Sequence, residues 1–235
     1  MSTSLFGKGY NDKAIPVTDK QKRTVDSGIY QGTIKNAFSG KSSGGATSVS
    51  LEVKLESGKT IFETIYVTNR EGSNTYEKEG VIGYLPGFLT VNQIALFATG
   101  KDLYELEPEL EERIVKQYDS KAGRQVDKPA MVIVPLLEQP ILVAIKEVRE
   151  NKTKAGDGNK RITLAEDRVY NTIDKVFHPS TFHTQAELEQ DKEASYLEAW
   201  KKDNEGKLDD RYKSLDSANS TTVSKPAASG LFKGL

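Results

Sequence analysis

The chain contains no cysteine, which removes disulfide bonds, thiolate metal sites and cysteine nucleophiles together and fits a reducing compartment. Histidine is scarce as well: His178 and His183 stand alone, separated by Pro179, Ser180, Thr181 and Phe182, and a metal centre needs more ligands than that. Net charge is nearly absent. Lys plus Arg (33) and Asp plus Glu (34) leave a formal charge of -1, so any basic surface must come from uneven distribution. No run approaches the roughly 20 apolar residues that cross a bilayer, and Met1 to Tyr10 lacks the apolar core of a secretory signal. The glycine-rich stretch Gly40 to Gly45 has neither the spacing nor the strand-to-helix setting of a phosphate loop. Nothing assembles a nucleophile, a base and an orienting group. These absences predict a soluble, cytoplasmic, non-enzymatic protein with no cofactor, no metal and no membrane partner.

What is present is β structure. An apolar content of 36% over 235 residues supplies one sizeable core rather than two. Residues 1–27 are polar and predict a flexible arm. Strand-like runs follow at Gly28 to Phe38, Thr47 to Leu55 and Thr60 to Thr68, with a Gly/Ser-rich loop after the first and a tight turn, Glu56 to Lys59, after the second. Gly72 to Gly83 reads as a loop, and Pro86 to Gly100 as an apolar helix. Glu105 to Tyr118 predicts a second, charged helical stretch, and Asp119 to Lys128 a loop. Met131 to Leu137 and Ile141 to Val148 predict two strands joined by a short turn. Asn151 to Lys160 predicts a basic hairpin tip, before closing strands at Ile162 to Leu164 and Val169 to Phe177. An amphipathic helix is expected over Ala186 to Lys202.

The chain therefore divides into an arm (1–27), a β domain (28–185), a C-terminal helix (186–203) and a disordered tail with an apolar tip (204–235). Counting the pieces gives a mainly β fold: an OB-like five- to six-stranded barrel with an inserted helix and a C-terminal helix. A two-sheet sandwich fits the same strands, because sequence does not show closure.

The second strand alternates cleanly, with Val49, Leu51, Val53 and Leu55 on one face. In the third, Ile61, Ile65 and Val67 share that inward parity and only Glu63 breaks it, which leaves Phe62 and Tyr66 on the outer face, roughly 13 Å apart. Single strands of nucleic acid are held by bases stacking on aromatic faces and by cations that follow the backbone. Phe62 and Tyr66 supply rings. Lys35, Lys41, Lys54, Lys59 and Arg70 supply charge, with Tyr76 as a base clamp and Lys152 and Lys154 on the hairpin tip. If a helix covers the two rings they are core instead. Tyr30, Ile34 and Phe38 share a parity without charge and are expected to pack.

The segments Gly28 to Ile34, Ser48 to Val53 and Gly58 to Glu63, followed by Leu85-Pro86-Gly87 before a helix, resemble phage-encoded single-stranded-DNA-binding proteins over Gly28 to Phe177. The resemblance implies an OB-fold that coats single strands in replication, recombination and repair within an infected bacterial cell, without catalysis or metal. Such proteins commonly end in an acidic tail with an apolar tip that docks replication, recombination or transcription proteins. Here Leu231, Phe232 and Lys233 form the expected partner-binding tip, which departs from that pattern in carrying no acidic side chain. The alternative is a structural or adaptor protein, such as a virion or scaffolding component, that uses the barrel to bind protein.

Overall fold

Residues 22–119, 122–156 and 160–215 are described by the computed structural model, and the chain over these residues is mainly β. β1 (Gly28–Lys41), β2 (Thr47–Leu55) and β3 (Thr60–Tyr66) form the expected antiparallel meander. Their inward residues, among them Ile34, Val53, Leu55 and Ile61, meet α1 (Pro86–Thr99), which turns Phe88, Val91, Ile94 and Ala95 into the same core. Gly87 lets the helix begin against the end of β3. A Cβ on it would lie 2.2 Å from the Tyr66 carbonyl oxygen, so no other residue fits there without movement.

Strand β1 organises the rest. Its first half, Gly28 to Thr33, pairs with β8 (Pro140–Ala155), and its second half meets β7 (Arg124–Ile133) at Phe38 opposite Val132. The two strands expected to form a hairpin at Glu138 to Pro140 therefore do not pair with each other. They lie in sequence along one edge of β1, joined by a 3₁₀ turn at Val134–Leu136. Two backbone bonds pin this connection: Ile34 N–H donates to the Gln139 carbonyl at 3.0 Å, and Glu138 N–H donates to the Ile34 carbonyl at 2.8 Å. Beyond the start of β1, β10 (Leu208–Asp210) takes over the same edge of β8 in parallel, which brings residues expected in the tail into the sheet.

Along the opposite edge of β8 runs β9 (Arg161–Phe177), one continuous strand where two were expected. The main path is thus β9–β8–β1–β2–β3. Its ends do not join by a backbone ladder, and where an OB-like barrel of five or six strands was expected, the described residues form an eight-stranded, mostly antiparallel sheet that is not closed into a barrel. At the seam the Glu63 carboxylate of β3 accepts hydrogen bonds from the Thr172 hydroxyl and the Ile173 N–H of β9, both at 2.6 Å.

The largest departure from expectation is the stretch after α1. Only Leu103–Leu106 (α2) is α-helical; a 3₁₀ turn over Glu107–Glu109, containing Pro108, follows it, and the remainder of the expected charged helix is β6 (Leu110–Asp119). The expected loop after it supplies much of β7, which pairs with β6 over its full length. Charge had suggested helix, but it is paired across and along this hairpin: Lys128 meets Asp119 at 2.7 Å and Arg113 meets Glu111 at 2.7 Å. The expected loop Gly72 to Gly83 also holds a small separate hairpin, β4 (Thr75–Lys78) with β5 (Val81–Tyr84).

The expected C-terminal helix is two, α3 (Gln185–Glu189) and α4 (Tyr196–Asn204), broken near Asp191, whose φ is 48°. The buried Glu187 side chain joins them by accepting from the N–H groups of Thr184, Ser195 and Tyr196. Burial opposes its charge, but these backbone donors outweigh burial and hold its pKa down at about 2. Leu197 and Trp200 pack on Leu142, Ala144 and Phe177 on the other side of the sheet. At the N-terminal end, Lys22 and Thr24 bind the Glu147 carboxylate, so the described part of the arm is fastened to β8. Among the described residues no helix is long and apolar enough to cross a membrane.

Candidate nucleic-acid interface

The outer face of β1, β2 and β3 carries both rings that the alternation of β3 placed there. Phe62 is 63% exposed and Tyr66 51%, and no helix covers either. A third ring arrives through a change of register. The pairing of β1 with β2 slips between Ile34 and Asn36, so Ile34 and Ala37 both turn inward and are fully buried. Phe38 thereby moves to the outer face opposite Ser50, and the expected packing set of Tyr30, Ile34 and Phe38 is split by the bulge.

The β6–β7 hairpin stands beside this face and makes it concave. A groove of about 300 Å³ runs between them, with Phe38, Phe62 and Thr64 on the sheet side and Lys116, Gln117 and Tyr118 on the hairpin side. Tyr118 is 70% exposed. Lys116 is exposed and has no ion pair among the described residues. Sequence reasoning missed Lys116 and Tyr118 because it assigned their segment to a helix. The signal that would have found them is the pair Ile114-Val115 followed by Tyr118 and, after Gly123, the β-rich run from Met131 to Ile133.

The expected cations divide into three groups. Lys41, Lys54 and Arg70 are exposed, carry no ion pair among the described residues, and lie on or beside this face. Lys54 pairs with Thr60, one step diagonal to Phe62, while Lys41 and Arg70 sit at the Tyr66 end, where Arg70 packs over Gly44. Lys35 and Lys59 are engaged elsewhere: Lys35 is ion-paired with Glu138, and the Lys59 ammonium donates to the carbonyls of Lys22 and Thr24. Lys152 and Lys154 stand apart. Lys154 pairs with Ile162, ten residues along β9 from the Thr172 that meets Glu63, roughly 33 Å at the usual strand rise. Lys152 is also bonded to Glu166 at 2.8 Å, which raises its pKa. Both belong to the strands rather than to a loop, since β8 and β9 extend almost to the tip.

Acidic groups bear on the groove in two ways. Glu52, opposite Phe62 on β2, is half-buried and lines it. Glu63 points to the seam instead, where burial pushes its pKa up against the two hydrogen bonds that pull it down. Tyr76 lies outside the groove on β4, and the tip residues Leu231, Phe232 and Lys233 lie outside the described residues. Of the histidines, His178 accepts a hydrogen bond from Thr181 N–H through Nδ1 and sets its ring edge-on to Phe97. Compared with known proteins, the chain matches no family model and no curated protein.

Proposed function

We propose that this protein binds single-stranded DNA without catalysis, along the groove between the outer face of β1, β2 and β3 and the β6–β7 hairpin. The observation that carries this reading is the pair of open rings, Phe62 and Tyr118, on opposite walls of one groove with the Lys116 ammonium beside them. Bases stack on such faces without regard to sequence, and cations beside them meet the phosphates. The strand order β9–β8–β1–β2–β3, with a helix between the third and fourth strands of that set in chain order, supports an OB-like fold whose seam is bridged by Glu63. In this reading the protein serves phage replication, recombination and repair in the cytoplasm of a bacterial cell, and its C-terminal tip recruits partner proteins.

Anisotropy titration of labelled oligo(dT) across a salt series tests the proposal. Four cations that carry no ion pair among the described residues, Lys41, Lys54, Arg70 and Lys116, predict a slope of log affinity on log salt of about -3, at roughly -0.7 per phosphate on single strands. Absence of micromolar binding at low salt, or a flat slope, retires it. The rival reading, a virion or scaffolding adaptor, draws on the exposed Ile114 and Met131 of the hairpin, and it predicts salt-insensitive protein association with no oligonucleotide binding.

A further inference from the structure

The β4–β5 hairpin has two unlike faces. Its register sets Tyr76 opposite Gly83 and Lys78 opposite Val81, so Tyr76, Lys78 and Val81 share one face, while Glu77, Ile82 and Tyr84 share the other. On the first face the Tyr76 ring lies across Gly83: a Cβ there would stand 3.1 Å from both Cζ and the hydroxyl oxygen. Only the absent side chain admits the ring. One side of it rests on backbone and the other is open, since Tyr76 is 46% exposed. Lys78 is exposed beside it and has no ion pair among the described residues.

The reverse face fastens this platform to the body. Tyr84 stacks on Phe88 at a centroid distance of 5.2 Å and an interplanar angle of 21°, and Phe88 also meets Tyr104 at 5.8 Å. Asn74 donates from its side-chain amide to the Tyr104 hydroxyl, and Leu85 N–H donates to the Asn74 carbonyl at 2.8 Å. A free two-stranded hairpin is marginal in water, whereas this one is held against α1 and α2. It is also linked along the chain to the outer face that bears Phe62 and Tyr66. Tyr66 ends β3 against Gly87 in the first turn of α1, the hairpin leads directly into that helix, and the exposed Arg70 lies in the connection between Tyr66 and Thr75.

We propose that Tyr76, laid over Gly83 with Lys78 at its side, is a second base-stacking subsite for single-stranded DNA, reached by a strand that leaves the groove past Tyr66 and Arg70. This rests on the groove reading and adds a consequence to it: affinity grows with oligonucleotide length until both subsites are occupied. The test compares oligo(dT) of about 6 nucleotides, near the lower end of the roughly 4 to 16 that one such domain covers, with oligo(dT) of about 24, beyond its upper end. Wild-type protein binds the longer one more tightly. Tyr76→Ala lowers affinity for it by about 5- to 150-fold, the equivalent of one stacked base, so the ratio of the two affinities collapses. Lys78→Gln, which disturbs no packing, lowers the same ratio and reduces the salt slope for the longer strand by about 0.7. Photo-cross-linking with an iodouracil-substituted strand gives an adduct at Tyr76, a result that a ring serving only to cover Gly83 does not produce. An unchanged ratio in both variants, equal losses at both lengths, or adducts confined to the groove overturns the subsite. If Phe62→Ala with Tyr118→Ala leaves both lengths unaffected while Tyr76→Ala still lowers the ratio, the groove reading falls and the subsite stands.

Discussion

Replacing Glu63 by alanine removes the group that bridges the two ends of the sheet, and its cost follows from what it leaves behind. The Ile173 N–H and the Thr172 hydroxyl each lose an acceptor at 2.6 Å. Two hydrogen bonds at roughly 0.5 to 1.5 kcal/mol each, with the added penalty of an orphaned buried N–H, place the loss at about 2 to 4 kcal/mol. Glutamine behaves differently. Its amide oxygen accepts from Ile173, its amide NH₂ donates to a rotated Thr172 hydroxyl, and no charge has to leave water, so Glu63→Gln stays within about 1 kcal/mol of wild type. The pH dependence separates the two contributions. Burial raises the folded-state pKa of Glu63 above its unfolded value, so between those values the folded state holds more protons. Stability from this residue is therefore greatest below the unfolded pKa and declines as pH rises through the folded one. The difference between wild type and Glu63→Gln in urea unfolding, followed by Trp200 fluorescence from pH 4 upward, traces that decline (about pH 4 being near the ordinary carboxylate value). If Glu63→Gln destabilises as much as Glu63→Ala, or if Glu63→Ala costs less than about 0.5 kcal/mol, the change expected of a neutral surface site, the bridge is not what holds the seam.

Phe62→Ala and Tyr118→Ala are each expected to lower oligo(dT) affinity by about 5- to 150-fold with little change in melting temperature, because both rings are open; a matching loss of stability would show them to be core. Lys116→Ala should reduce the salt slope of binding by about 0.7. Glu187→Ala removes the acceptor shared by Thr184, Ser195 and Tyr196 and should cost about 1 to 3 kcal/mol in urea unfolding. Since its folded pKa is depressed to about 2, the stabilisation is present above the unfolded carboxylate value and is lost as pH falls from there toward 2. Gly87→Ala drives a methyl into the Tyr66 carbonyl and should destabilise by about 1 to 3 kcal/mol, read as a lowered melting temperature.

Where a strand had one wet face and one apolar face, the sequence announced it. Val49, Leu51, Val53 and Leu55 are the buried positions of β2 as their alternation required, with Ser48 alone buried on the other parity, and the outward parity of Phe62 and Tyr66 is their actual exposure. Pro86 and Gly100 likewise bracket α1. What failed was long-range or sat on strands exposed on both sides. Glu111 to Asp119 has almost no buried residue except Val115, so no two-fold hydrophobic period marked it as β, and its charges imitated a helix surface. The bulge in β1 carries no local signature either, and a single inserted residue was enough to send Phe38 to the other face. The pairing of β1 with both β7 and β8 depends on contacts a hundred residues apart. Half of the groove was therefore legible and half was not: the sheet wall was written in a period, while the hairpin wall was decided by tertiary pairing.

The single tryptophan offers an experimental advantage. Trp200 is sealed against the side of the sheet that bears Phe177, and its indole N–H donates to Asp174 at 2.7 Å. Its emission is thus a native reporter of whether the C-terminal helices remain docked. One unlabelled sample can reveal loss of docking while a dye on the oligonucleotide reports association, so a variant that unravels is told apart from one that merely lets go.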